Sequence, residues 1–278
     1  MASTAEKSFE AAEAAVRRPF VMKAARFGFV AKGVLFIVIG ALAIMLAVGL
    51  PEGRLTDASG ALGVIAKQPF GRILLLAFIV GATGHAVWNI LRGIADVDDA
   101  GRGWRGYITR GFAVATGVVY IALALTALEK ILALRVAQAG DAQEAVVTVL
   151  LSIPVLGTVL LYLIGLGVIG AGFYECYVGF TGKYRENYRA WEISGLHLWL
   201  ITILGVLAFS ARAVILVMIG YFFLTAGWTG LKDSIGLDAA LYALSVRSYG
   251  RVLLFAAASG LIAHGILAFY EAKYRRIC

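Results

Sequence analysis

The chain has 278 residues, 61% of them hydrophobic and 15% charged, against about 25% charged in an ordinary soluble domain, which excludes a water-soluble globular fold. Its 25 Lys and Arg against 17 acids give a formal charge of +8. These basic residues stand in short blocks between apolar runs rather than on one continuous face, so no nucleic-acid partner is expected and the excess is the mark of a membrane protein.

The first 25 residues lack the apolar core of a signal peptide, so the first span is an uncleaved anchor. Phe9, Ala12, Val16 and Phe20 recur at helical spacing beneath a charged face. Residues 1–25 are therefore either a cytoplasmic amphipathic helix on the membrane surface, stopped near Pro19, or a disordered tail. Six apolar runs follow, at 27–50, 73–91, about 108–134, 146–180, 193–231 and 252–270. Each is long enough to cross about 30 Å of hydrocarbon as a helix. The fourth and fifth exceed one span, which predicts a short lead-in over 146–154 and an interfacial turn over 193–199.

With six crossings, Lys7, Arg17, Arg18, Lys23, Arg26, Arg92, Arg102, Arg105, Arg110, Lys183, Arg185, Arg189, Lys273, Arg275 and Arg276 share one side. The other side holds Arg54, Lys67, Arg72, Lys130, Arg135, Lys232, Arg247 and Arg251. The heavier side faces the cytoplasm, which places both termini on the cytoplasmic side of a bacterial inner membrane. Trp88, Trp104, Tyr107, Tyr174, Tyr177, Tyr184, Tyr188, Trp191, Tyr270 and Tyr274 gather at the same ends of the spans, where a headgroup belt of aromatic rings is expected.

The chain repeats itself. Ala61, Leu62, Gly71, Arg72, Leu74, Leu75, Ala77, Gly81 and His85 recur 179 residues later as Ala240, Leu241, Gly250, Arg251, Leu253, Leu254, Ala256, Gly260 and His264. Arg26, Val30, Ala31, Gly33, Val34 and Ile37 recur 84 residues later, from Arg110 to Ile121. Ala31, Val34, Ile39 and Gly40 recur after 180, as Ala211, Val214, Ile219 and Gly220. The expected architecture is thus an all-α membrane protein with six transmembrane helices as three parallel two-helix repeats around a pseudo-threefold axis. The repeats occupy 26–100, 101–190 and 191–278, the last with the basic tail. In each outer loop an Asp (Asp57, Asp141, Asp238) precedes a short segment ending at Gly71, Gly157 or Gly250, as if it caps a short interfacial helix.

The Lys32-Gly33 pair followed by Gly40, Asp57 with Gly60-Ala61-Leu62, and the Gly71-Arg72 opening of the second span resemble the bacterial membrane-protein family catalogued as domain of unknown function number twelve-oh-six. The resemblance implies three tandem two-span repeats over nearly all of the chain after residue 25, and it implies no activity. The middle copy departs from the pattern, with Thr116 for the Lys and Thr158 for the Arg.

Small residues on the odd spans fall at heptad spacing: Gly33, Gly40 and Ala47; Gly117 and Ala124; Ala213, Gly220 and Gly227. Such seams let helices approach closely. On the even spans the seam has four-residue steps, Ala77, Gly81, His85, Asn89 and Ala256, Gly260, His264, Ala268, with Gly167, Ala171 and Glu175 in the equivalent places of the middle copy. Packing residues are therefore expected at Gly33, Gly40, Gly81, Gly117, Gly220 and Gly260, and both histidines on packed faces.

Lys32, His85, Asn89, Thr116, Glu175, Arg212, His264 and Glu271 are the polar residues within the spans that invite a role. Lys32 lies about 9 Å beyond Arg26 at helical rise, where an unpaired charge costs up to about 3 kcal/mol. Three readings stand side by side. The cluster is a structural network pairing Lys32 or Arg212 with Glu175 or Glu271; or it lines a polar cavity of a small-solute or proton-coupled transporter or channel; or His85 and His264 are axial ligands of a haem. No phosphate loop, zinc-protease helix or nucleophile elbow is present, and no metal site is expected; Asp96, Asp98 and Asp99 read as a solvated turn, and Cys176 and Cys278 as unpaired thiols. The expected protein is a non-enzymatic scaffold or subunit whose expected partners are the lipid bilayer and another membrane protein.

Overall fold

A computed structural model describes residues 19–96, 101, 103–132, 147–153, 155–188, 193, 195–229 and 237–275. The regular elements among them are helices: α1 (Pro19–Ala47), α2 (Ala58–Ala66), α3 (Gly71–Ala95), α4 (Trp104–Leu132), α5 (Leu156–Thr181), α6 (Gly195–Thr229), α7 (Leu237–Ser245) and α8 (Gly250–Tyr274), with a 3₁₀ helix over Lys183–Asn187 between α5 and α6. Six of them, α1, α3, α4, α5, α6 and α8, are long and apolar enough to cross a membrane. The protein is a multi-pass membrane protein.

One boundary differs from the sequence reading. Residues 195–199 continue within the single 35-residue α6 instead of making a separate interfacial turn. The lead-in before α5 is present, since residues 147–151 are helical. The proposed surface segment before Pro19, Asp98, Asp99, Asp141, Trp191 and Cys278 lie outside the described residues.

The turn into the even spans shows why glycine recurs there. At Gly71 an added Cβ would lie 2.7 Å from the Ile65 carbonyl oxygen; at Gly157 it would meet the carbonyl of Leu150, and at Gly250 that of Ser245. The short preceding helix thus ends with its last carbonyls against the first residue of the next span. Asp57 caps α2 by accepting the Gly60 N–H at 2.8 Å on Oδ1. Asp238 instead stands inside the first turn of α7, where a carboxylate still opposes the helix dipole favourably.

The chain divides into two compact units, one of Met1–Lys32, Ile65–Leu134 and Ala268–Cys278, the other of Gly33–Val64 and Arg135–Leu267. In the first, α3 packs on α1 through Gly81, whose Cβ direction faces Ala31 and Phe27, and Gly84, which faces Ala24. It packs on α4 through Gly93, against Arg110 and Val114, while Gly117 of α4 faces Ala86 and Ile90. In the second unit, Gly260 of α8 faces Leu207 and Ala211 of α6. There Gly265 meets Gly33 and Ile37 of α1, and Gly40 meets Ala258 and Ile262. Helix α5 packs on α6 through Gly165 against Gly220, Gly172 against Ala213 and Val217, and Gly179 against Phe209.

These contacts correct the seam expected on α5. Gly167 is exposed and has nothing within 4 Å of its Cβ direction, as does Gly170. The packed face is the heptad series Gly165, Gly172 and Gly179, because α5 turns toward α6 the face equivalent to Ala86 and Gly265 rather than to Gly81 and Gly260. The aromatic belt is also partly corrected. Trp104, Tyr107, Tyr174 and Tyr177 are exposed, whereas Trp88, Tyr184 and Tyr188 are buried, Tyr184 because its hydroxyl donates to the Ile201 and Thr202 carbonyls beside Gly205.

Gly265→Ala places a methyl group 2.7 Å from the Gly33 carbonyl, and is expected to destabilise by about 1–3 kcal/mol through overpacking. Gly167→Ala enters open space and is expected to leave stability unchanged or raise it by less than about 1 kcal/mol, since alanine favours helix. Melting of the two purified variants in one detergent checks both, and equal losses would contradict this packing.

Candidate functional site

Lys32, His85, Asn89 and Glu271 belong to the first unit and Glu175, Arg212 and His264 to the second, and in each unit charged and aromatic side chains meet in a cluster. In the first, Phe29 on α1 and His85 and Trp88 on α3 lie almost fully buried. The His85 ring meets Phe29 edge-on at 4.8 Å between centroids and Tyr120 of α4 at 4.5 Å. Gly28 makes this possible, because its bare Cα lets α1 close directly onto the His85 backbone and Cβ. Trp88 stands 5.6 Å from Phe29. Asn89, one turn beyond His85, donates its amide back to the His85 carbonyl at 2.8 Å, and Thr116 donates to the Phe112 carbonyl at 2.8 Å. Both thereby satisfy themselves on their own helices.

The charged members of this cluster among the described residues are Lys32, Arg92, Glu271 and Arg275. Lys32 Nζ lies 3.4 Å from Glu271 Oε2, and Arg275 Nη1 lies 3.1 Å from Glu271 Oε1, so one carboxylate takes two cations on its two oxygens. The Arg275 guanidinium also rests 5.2 Å from the Phe29 ring and 5.0 Å from the Trp88 ring, and Arg92 lies 4.7 Å from Trp88. His85 Nδ1 and Trp88 Nε1 are buried with no hydrogen-bond partner among the described residues.

In the second unit Arg212 on α6 is the hub. Its Nη2 lies 3.0 Å from Glu175 Oε1 of α5, and its Nη1 is 3.4 Å from His264 Nε2 of α8. Phe36 of α1 meets the His264 ring edge-on at 4.7 Å. The guanidinium can only donate, so Nε2 is the accepting nitrogen of this contact. His264 is buried, as is His85, and both lie on packed faces.

The repeat relates these clusters. Lys32 and Arg212 are equivalent, and each meets a carboxylate on an even span of another repeat. In the middle copy the same place is the neutral Thr116, and the place of Glu175 on α3 is the neutral Asn89. Cation and carboxylate are thus replaced together. Chemically, the two clusters can hold and orient charge and hydrogen-bond polar groups, but neither presents a nucleophile with a base.

Sequence reasoning missed Phe29, Trp88, Arg92, Tyr120 and Arg275 as members of the first cluster. A signal existed: Trp88 and Arg92 follow His85 at helical spacing, and Arg275 follows Glu271 by four. Of the remaining candidates, Asp96 accepts the Gly101 N–H at 3.0 Å on Oδ2 within a loop, and His197 is an exposed residue of the first turns of α6. Cys176 is partly buried on α5, and no group of three metal-ligating side chains occurs among the described residues. Outside the spans, burial pushes the Tyr184 phenol above its ordinary value.

The family model described as Domain of Unknown Function (DUF1206) matches three tandem segments, residues 27–96, 111–182 and 207–275. Each segment contains one odd span and the even span that follows it. The chain is also similar to the uncharacterised protein YxxB of Bacillus subtilis (strain 168), 28% identical over 261 residues that cover 94% of this chain and 93% of the relative. No solved structure matches. With three copies of the motif along its length, each holding a pair of spans that pack through small residues, the chain belongs to the DUF1206 family.

Proposed function

We propose that the protein is a non-enzymatic scaffold or subunit of the bacterial inner membrane, with cytoplasmic termini, that binds another membrane protein through the exposed face of α5. The observation that carries this reading is the matching of charges: Lys32 meets Glu271 and Arg212 meets Glu175. Ions held this way register helices against one another. The exposed face supports the second half of the proposal. Gly167 and Gly170 lie open beside exposed Leu163, Leu166, Phe173 and Tyr174, and α5 is the least buried of the six spans. Glycine in a helix costs about 1 kcal/mol relative to alanine, and lipid tails need no such notch; a second helix does.

A small-solute or proton-coupled transporter is the alternative. One observation favours it: Glu175 Oε2 is buried with no hydrogen-bond partner among the described residues, beside Arg212 and within one guanidinium of His264.

Two measurements separate these readings. Arg212→Met leaves Glu175 buried without its cation and is expected to destabilise by about 3 kcal/mol, whereas the double change Arg212→Met with Glu175→Gln recovers most of that loss in a melting experiment. If Glu175→Gln alone keeps the melting temperature and abolishes the cellular function, the transporter reading replaces ours. A photocrosslinking residue at Leu166 is expected to capture a discrete protein band in intact membranes, and the same residue at exposed Leu207 on α6 is not. Capture of lipid alone at both places would remove the α5 interface.

A further inference from the structure

Two arginines converge on one indole in the first unit. Arg92 stands in the last turn of α3 and Arg275 directly follows α8, so both lie at headgroup depth at the ends of spans. Their guanidinium carbons are 4.7 and 5.0 Å from the centroid of the same Trp88 ring. A guanidinium stacked on an aromatic face directs its N–H edges sideways, the arrangement that takes two phosphate oxygens at once.

The indole adds a second and independent sign. Trp88 is 2% exposed, and its Nε1 has no hydrogen-bond partner among the described residues. Indole nitrogen can only donate, and an unmet buried donor is costly. Glu271, the carboxylate that meets this cluster among the described residues, spans Lys32 and Arg275. A donor without an acceptor beside two stacked guanidiniums is complementary to an anion with several acceptor oxygens.

We propose that Arg92, Arg275 and Trp88 Nε1 form a binding site for a phosphate group, supplied by the headgroup of an anionic phospholipid. The guanidiniums bind the phosphate oxygens through their N–H edges, and the indole N–H supplies a third donor from the buried side. Basic sites between transmembrane helices at the membrane border take anionic headgroups by this chemistry. The same donors accept free phosphate, so source and site are tested separately. The inference does not depend on the α5 interface, because it concerns other helices and another ligand.

The test uses the full chain, delipidated in a neutral detergent, titrated with dioctanoyl phosphatidylglycerol, dioctanoyl phosphatidylcholine or inorganic phosphate while its melting temperature is followed. Phosphatidylglycerol is expected to raise the melting temperature saturably and phosphatidylcholine to leave it unchanged. Arg92→Gln and Trp88→Phe are each expected to weaken the phosphatidylglycerol response by about tenfold or more, the loss of one charge-assisted or buried hydrogen bond. Arg275→Lys, which keeps the charge beside Glu271 and loses the planar fork, weakens it as well. Arg251→Gln, an exposed arginine elsewhere on α8, has no effect.

Saturation by inorganic phosphate with the same variant sensitivity supports the site and reassigns its source to soluble phosphate. The proposal is overturned if phosphatidylglycerol gives no saturable shift. It is equally overturned if Trp88→Phe and Arg275→Lys respond as the unaltered protein does; these two conservative variants keep the test decisive should Arg92→Gln fail to fold.

Discussion

An apolar side chain gains nothing by leaving a lipid tail for a neighbouring helix, so helices in a bilayer associate where their backbones can come close. The spans of this protein meet that constraint with glycine and alanine on two kinds of seam. One joins the two helices of a repeat, as Gly81 does against Phe27 and Ala31 and its equivalent Gly260 against Leu207 and Ala211. The other joins helices of different repeats at seven-residue spacing, as Gly172 does against Ala213 and Gly265 against Gly33. The recurrence of one contact at equivalent places in the chain shows that the repeats share geometry as well as sequence.

The buried charges follow from the close approach. Once small residues draw two helices together, a long cation on one reaches a carboxylate on the other, and each ion removes most of the penalty of burying its partner. Lys32 with Glu271 and Arg212 with Glu175 occupy such places. Where the cation is absent, at Thr116, the neighbouring repeat carries Asn89 rather than an acid, and both bond to carbonyls of their own helices. At the place of Arg212 and Glu175, then, cation and carboxylate are both present or both absent. The aromatic cage of Phe29, Trp88 and Tyr120 around His85 is built on the same principle: Gly28 thins α1 enough for the ring to sit inside the packed face.

The helix count, the repeat and the burial of both histidines were legible because each leaves a periodic trace: about 20 apolar residues per span, a fixed offset between copies, and small residues every four or seven. Gly71, Gly157 and Gly250 were legible as segment ends for the same reason. Which face of α5 packs was not, since Gly165, Gly167, Gly170 and Gly172 satisfy both spacings at once and only the neighbouring helix decides between them. The membership of the first cluster was hidden for a different reason. Trp88 and Arg275 look like a membrane-border ring and a tail cation when taken one at a time, and only the crossing of α1, α3 and the end of α8 turns them into a buried stack.

Helix α6 has a property that follows from its length alone. Its 35 residues extend about 52 Å at helical rise, well beyond the hydrocarbon thickness of about 30 Å. Near its two ends stand Trp199 and Trp228, 59% and 84% exposed, separated by about 43 Å along the axis. That separation equals the full width of a bilayer from one headgroup layer to the other, about 40–45 Å. The helix therefore acts as a ruler: a thinner membrane obliges it to lean, and the residues it shares with α5 and α8 must lean with it.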